Sequence, residues 1–502
     1  MMTQCRSACA ALALMCSSAP AFADLTPAQV WADWERQLKD TGQSVTVEDR
    51  SDTGDNLRLT GVKFDAEWPE GAVSTVIDVI SLQAVGDGTV RMTLSDSYPL
   101  ALSMEDDSGQ IELLMVVKHP DFETIASGAA DAINYAYGGD SVRVDLNSMT
   151  VDGTDVDGVL SVVARGMAGT FGGALSASET TSSLATETLE MDIDLTVPSV
   201  EGSGDTRVTG KLNVQELASI SSGAASDFMG FGSFNGFQPN TNLSGETRVG
   251  PVTFSVTVEE PSSTAQIEGR VDSSVASTSV EDGKLSYVGS NEGMEVTVSG
   301  STIPLPAVAV ALETIGFGLE LPMETSNVAQ DLLMSLNIEG LSVPDELWAL
   351  VDPSGRIPRD PADLSLSLLG KGKWTEDVFS QNFNPEQLSA PPGELEAVAI
   401  DGLRLSVAGV ELTGEGSFLL DNTGMEQGLP PRPDGAVDFS LTGINGLLDT
   451  LTELGLVPQD QATMGRMMLG MFTVPGTGPD TLTSRIEVKP DGSILANGQR
   501  IR

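Results

Sequence analysis

The feature that most constrains this chain is a strict alternation of apolar and polar residues. Leu189, Met191, Ile193, Leu195 and Val197 alternate with Glu190, Asp192, Asp194 and Thr196. Val252, Phe254, Val256 and Val258 alternate with Thr253, Ser255 and Thr257. Shorter runs of the same kind lie at 90–94, 142–146, 294–298, 364–368 and 403–407. Successive strand residues point to opposite faces, so a period of two predicts strands with one dry and one wet face. That pattern belongs to antiparallel sheets; parallel α/β strands are buried on both faces and read as unbroken apolar runs.

Two strand segments change phase at a glycine, Gly61 within Leu57–Phe64 and Gly409 within Leu403–Leu412. A glycine at a phase change predicts a β-bulge that bends the sheet, and the pair hints at a degenerate repeat. Helical spacing is confined to patches. Thr26-Pro27 reads as an N-cap with Pro at the first helical position. Val30, Trp31, Trp34 and Leu38 follow at helical spacing, which predicts a helix over 27–41 packed on the sheet through its tryptophans. The Ala-rich stretch 122–137 and the segments 327–336 and 344–351 are further helix candidates. Residues 444–456 and 459–471, separated by Pro458, predict a helical hairpin, followed by a closing β-hairpin over 482–496. The expected fold is mainly β (α+β): an elongated, curved antiparallel β-sheet with an N-terminal helix and a C-terminal helical hairpin. A soft boundary near Gly300 divides a β-rich N-terminal half, 24–300, from a β-rich C-terminal half with helices, 301–502.

The N-terminus reads as a cleaved signal peptide over 1–23. Arg6 is its only charged residue, residues 8–15 are apolar, and Ala21-Phe22-Ala23 is an A-x-A cleavage site. Cys5, Cys9 and Cys16, the only cysteines, go with it. Acylation at Cys16 fits poorly, because Met15 before it is not small. Later stretches fall short of the ~18 apolar residues of a membrane span. The mature chain is therefore expected in the periplasm, without a transmembrane anchor.

Charge and composition narrow the chemistry. Asp and Glu number 72 against 26 Lys and Arg, a formal net charge of −46. Such an excess disfavours nucleic acid and anionic membrane surfaces. A mature chain without cysteine and with one histidine, His119, cannot build a His/Cys zinc site. A Ser-His-Asp triad would have to use His119, which reads instead as a loop residue before Pro120. Gly232-Ser233-Phe234-Asn235-Gly236 has the wrong spacing for a nucleophile elbow, and 166–173 lacks the Lys and Ser/Thr of a phosphate loop. The acidic clusters at 49–55, 105–109 and 152–158 have oxygen ligands for Ca²⁺ but do not fill the EF-hand spacing, and read as β-turns. No cofactor is implied.

Two apolar stretches remain. Residues 228–237 hold four phenylalanines interleaved with glycine; Phe228, Met229, Phe231, Phe234 and Phe237 are the candidate ligand-binding residues. Met464, Met467, Met468 and Met471 recur at helical spacing and read as core.

The opening helix ending at Gly42, the Leu57-Arg58-Leu59-Thr60-Gly61-Val62 strand and the later Leu403-Arg404-Leu405, Leu412-Thr413-Gly414-Glu415-Gly416 and Phe439-Ser440-Leu441-Thr442-Gly443 segments come in a telling order. With the leucine-rich helix and closing hairpin, this order resembles the bacterial domain of unknown function 2125 family. It is more loosely similar to AsmA- and TamB-like envelope proteins. The first resemblance carries no reaction. The second implies curved sheets with an apolar groove and a link to lipid movement. The expectation is a non-enzymatic periplasmic envelope protein that binds or moves a lipid or other apolar molecule in a β-groove. The alternative is a structural or interaction protein of the envelope without a small ligand.

Overall fold

The structure is a computed structural model that describes residues 24–40, 42–68, 70–106, 109–172, 180–198, 204–223, 242–303, 305, 307–380, 383, 384, 388, 390–425 and 429–502. The expected signal peptide lies outside the described residues.

The chain opens with helix α1 (Pro27–Asp40) and runs into β1 (Ser44–Asp52), β2 (Asn56–Trp68), β3 (Gly71–Ala84), β4 (Val90–Leu94), β5 (Ser97–Asp106), β6 (Gly109–Lys118), β7 (Glu123–Ala129), β8 (Ala132–Val151) and the short β9 (Thr154–Asp155). Then come β10 (Asp157–Gly172), β11 (Thr180–Val197), β12 (Thr206–Gly223), β13 (Leu243–Val249), β14 (Val252–Glu260), β15 (Ser263–Val271), β16 (Ser273–Glu281), β17 (Lys284–Gly300), β18 (Val308–Pro322) and β19 (Gln330–Leu341). Helix α2 (Asp345–Val351) precedes β20 (Ala362–Trp374), β21 (Gly393–Val407), β22 (Val410–Asp421) and β23 (Arg432–Thr442). Helices α3 (Ile444–Glu453) and α4 (Gln459–Phe472) form the expected hairpin before β24 (Val474–Pro475), β25 (Thr481–Val488), β26 (Ile494–Ala496) and β27 (Gln499–Arg500).

All these strands join one antiparallel sheet. Most neighbours in sequence are neighbours in the sheet, and the ladder continues from β17 to β18 across Gly300. At the usual spacing of ~4.8 Å, the path from β1 to β25 is about 85 Å long. Two of the expected helices are strands instead. Residues 122–137 form the β7–β8 hairpin, where Ala126, Ile133 and Tyr135 bury themselves at two-residue spacing or in cross-strand register. Alanine content suggested a helix there, but Gly128 at φ 102° and the tight turn after Ala129 favour the hairpin. Residues 327–336 belong largely to β19, whose Leu332, Met334 and Leu336 continue the sheet's apolar rows. Helix α1 begins as expected: the Gln29 amide donates to Thr26 Oγ1 (3.3 Å) and the Thr26 amide to Gln29 Oε1 (2.9 Å), a reciprocal cap.

The sheet contains an internal duplication. The long strand β3 is faced by two short ones, β5 along its first half and β4 along its second. These pair with β6 and β7, which both rejoin the long β8. The long strand β12 is likewise faced by β14 and β13, which pair with β15 and β16, which both rejoin β17. The order of connections is identical. The repeat suggested by Gly61 and Gly409 is therefore real as an arrangement but lies elsewhere. Gly409 (φ 77°) with Ala408 (φ 52°) makes the tight turn joining β21 to β22, the twist-matched kind of two-residue hairpin loop.

Gly61 does mark a change of phase, but not the expected bulge: the register with β1 and β3 is the same on both sides of it. It sits at φ 59° inside β2, opposite Glu48 and Asp78, and the pairing skips it on both sides. Equivalent left-handed residues fall on the same transverse line in other strands: Gly166 (φ 58°), Glu216 (φ 54°), Gly293 (φ 62°) and Gly340 (φ 71°). Between them the line passes through the β4–β5, β6–β7, β13–β14 and β15–β16 links. The result is a seam running across the strands. On crossing it the buried residues change parity, from Leu57 and Leu59 to Val62 in β2 and from Ile77 to Ile80 and Leu82 in β3. A one-residue slip would move the apolar set to the other face. No such slip occurs: neighbouring strands keep their register and change parity together, so Leu57, Leu59 and Val62 all stay in the core.

The main core lies under α1. Val30 and Trp31 press on Leu57, Leu59, Val62, Ile77, Ile80, Leu82, Val90 and Met92, joined by Ala126, Ile133 and Tyr135. Asp33 of α1 is buried against this core. It accepts hydrogen bonds from Tyr135 Oη (2.6 Å) and Gln37 Nε2 (2.7 Å) and pairs with Arg36. A second, smaller cluster joins Leu243, Val280, Leu285, Met323 and Phe379.

Candidate functional site

The apolar face that α1 covers at one end continues across most of the sheet, with no second layer over it among the described residues. One cross-strand row runs Val144, Val162, Met191, Leu212, Phe254, Gly269, Val296, Val310. The next runs Leu160, Ile193, Gly210, Val256, Ile267, Val298, Val308. Beyond the seam, Ile315, Ile338, Leu364, Leu405, Leu412, Leu441 and Leu482 occupy seven neighbouring strands. Beside them lie Phe317, Leu336, Leu366, Leu403, Gly414 and Phe439. From β10 to β25 this face extends for about 60 Å at the normal strand spacing.

The side chains of these rows are mostly half-buried, and Val256 and Ile267 are over 40 % exposed. A sheet face pressed against a second layer loses water almost completely. Here partial exposure persists through row after row, because each side chain is shielded by its cross-strand neighbours and not by another layer. Burying such surface stabilises by roughly 25 cal/mol per Å², so the open rows are a standing free-energy source for binding apolar matter.

The opposite face is polar, with its cations tied to some of its many acids. Asp145 is its best-connected group: it accepts from Lys118 Nζ (3.0 Å), Arg143 Nε (2.7 Å) and Ser161 Oγ (3.0 Å), tying β6, β8 and β10 together. Burial acts to raise the Asp145 pKa, but the bonds from Lys118, Ser161 and Arg143 prevail and hold it below the ordinary carboxylate value. Arg165–Glu190 (3.3 Å), Arg207–Asp194 (2.8 Å) and Arg270–Glu295 (2.9 Å) continue the pattern across β10–β17. Two shallow depressions open between the small polar side chains. One of about 610 Å³ is lined by Glu190, Asp192, Lys211, Glu268, Arg270 and Glu295 among others. The other, of about 630 Å³, is lined by Asp401, Glu415, Asp438 and Arg485 among others. Their cations are already paired with neighbouring acids, so both depressions carry a surplus of carboxylates and offer no unpaired cation to an anionic ligand.

The residues singled out by sequence fall as follows. Phe228, Met229, Phe231, Phe234 and Phe237 lie outside the described residues; the strands they connect, β12 and β13, end at Gly223 and begin at Leu243. The methionines expected in the core are on the surface: Met464, Met467, Met468 and Met471 are 56–67 % exposed along one side of α4. Their spacing was read correctly as helical, but a period identifies a stripe and not what covers it. His119 is 4 % exposed in the β6–β7 link, packed between Tyr98 and Phe122 with ring centroids 5.3 and 5.7 Å away. Neither ring nitrogen has a hydrogen-bond partner, and burial lowers its pKa. The acidic stretches sit in turns: Gly54 donates to Asp52 Oδ1 (2.9 Å), Asp106 pairs with Gly109, and Asp152-Gly153 closes the β8–β9 turn. Among the described residues no group of three His, Asp or Glu side chains converges as a metal site. No helix among them is long and apolar enough to cross a membrane. The sequence signal for the extent of this face is the parity change at the seam glycines, which the phase change at Gly61 shows for a single strand.

Together these features define a single-sheet antiparallel β protein with one extended apolar face left open. The chain belongs to the bacterial family described as uncharacterized protein conserved in bacteria (DUF2125), whose model matches residues 240–495. The match runs from just before β13 into β26. No curated protein and no solved structure matches the chain.

Proposed function

We propose that this protein is a non-enzymatic periplasmic envelope protein that binds a lipid or comparable apolar molecule on its open sheet face. The observation that carries the proposal is the half-exposed apolar rows, which run on one side of the seam as far as β18 and on its other side from β18 to β25. Such an extended open face suits a flexible acyl chain better than a compact ligand. The signal-like N-terminus supports the periplasmic part.

The test is purification from the native host without detergent, followed by native mass spectrometry and lipid extraction. Bound phospholipid, or uptake of offered phospholipid, is expected. Substituting Leu366→Glu or Val256→Glu places a charge in the rows and should reduce uptake at least about tenfold with unchanged circular dichroism. Protein that is consistently empty and takes up nothing would leave the structural or interaction reading in its place.

A further inference from the structure

The sheet face does not account for the outward side of α4. Met464, Met467, Met468 and Met471 recur at i, i+3, i+4 and i+7 and are 56–67 % exposed. Leu456 before the helix and Val474 after it, both over 40 % exposed, extend the strip. Arg466, the helix's only basic residue, turns away to Asp449 (2.5 Å) and to the Asn445 carbonyl (3.1 Å).

Charge selects among the occupants. A second copy would bring −46 against −46, and self-repulsion of that size opposes close association. Helices that lie on anionic bilayers carry Lys and Arg on their polar side, and α4 has none free. A cationic partner is drawn by the same excess of acid that repels the others. Asp460 stands one turn ahead of Met464 on the same side of the helix. Methionine has three freely rotating bonds and a polarizable sulfur, so a row of them moulds to varied apolar side chains. We propose that the methionine face of α4 docks a cationic, apolar-faced segment of a partner protein. This holds independently of any ligand on the sheet.

The experiment is fluorescence anisotropy of a labelled amphipathic Lys/Leu peptide, about four helical turns long, titrated with the full chain at low and moderate salt. Saturable binding that weakens with salt is expected. Replacing all four residues (M464Q, M467Q, M468Q and M471Q) keeps helix propensity and length and should weaken binding at least about tenfold. A control with Val328→Gln and Leu419→Gln, apolar residues exposed elsewhere, should stay within about twofold. If the fourfold variant loses its native circular dichroism, M467Q with M468Q serves in its place. Equal binding by the methionine variant, or equal binding of a Glu/Leu peptide, overturns the proposal. So does methionine-dependent binding to phosphatidylglycerol vesicles without peptide binding, or a methionine-dependent dimer in sedimentation, each of which assigns the face to another occupant.

Discussion

At the scale of single residues, the fold rests on groups whose surroundings leave little choice. Tyr135 donates to the buried Asp33, and burial with the Asp33 contact pushes its phenol pKa far up, so it stays protonated and keeps donating. Tyr135→Phe removes that donor from a buried carboxylate and should cost about 1–3 kcal/mol in urea unfolding. His119 has the opposite character. Its folded pKa lies below the ordinary 6.5 because burial disfavours the imidazolium. Between the folded value and 6.5 the unfolded chain binds more protons, so stability rises with pH there. The contribution is complete above 6.5 and is lost as pH falls through the window below it. His119→Phe retains the ring contacts with Tyr98 and Phe122 and removes two unpartnered nitrogens. It should raise stability at pH 7 by about 1 kcal/mol and flatten the fall between pH 6.5 and 5. Thermal melts at both pH values check this; an unchanged slope would sink the assignment.

At the scale of elements, the seam is the line on which neighbouring strands change parity together without losing register. Each left-handed glycine lies beneath an acid of the neighbouring strand or link. A Cβ at Gly293 would run into the carboxylate of Asp272, and one at Gly61 into that of Glu48. Gly293→Ala should therefore cost about 1–2 kcal/mol from its left-handed backbone alone, plus the clash. Adding Asp272→Ala should recover the clash but not the backbone cost, and a double-mutant cycle by denaturant melts separates the two. Equal losses in the single and double variants would show that the carboxylate moves aside freely.

At the scale of the whole molecule, each strand contacts mainly its neighbours in the ladder, as in a repeat protein. The fully buried apolar residues concentrate under α1. Hydrogen exchange should therefore be slowest in β2–β4, β7 and the start of β8, and fastest in β24–β27, with no single global transition. Uniform protection would contradict this. The net charge of −46 sets a second expectation. Added salt screens self-repulsion more than it weakens exposed ion pairs, because acids far outnumber bases. The midpoint of thermal unfolding should rise with sodium chloride, which scanning calorimetry would show.

Period-two alternation determined the fold class without help from the structure, since a strand's side chains must alternate whatever lies beside it. The same local logic located α1, through its cap and tryptophan spacing, and the α3–α4 hairpin. It failed at 122–137, where alanine content spoke for a helix and the partners that made it a hairpin, β4 and β10, lie outside the segment. Tertiary structure alone decided what covers each apolar stripe. Trp31 and Met467 both sit on helical stripes, yet one is buried and the other faces water. The alignment of Gly61, Gly166, Gly293 and Gly340 on one line was likewise invisible in sequence. Strand register is a relation between distant segments, and one strand's residues carry only half of it.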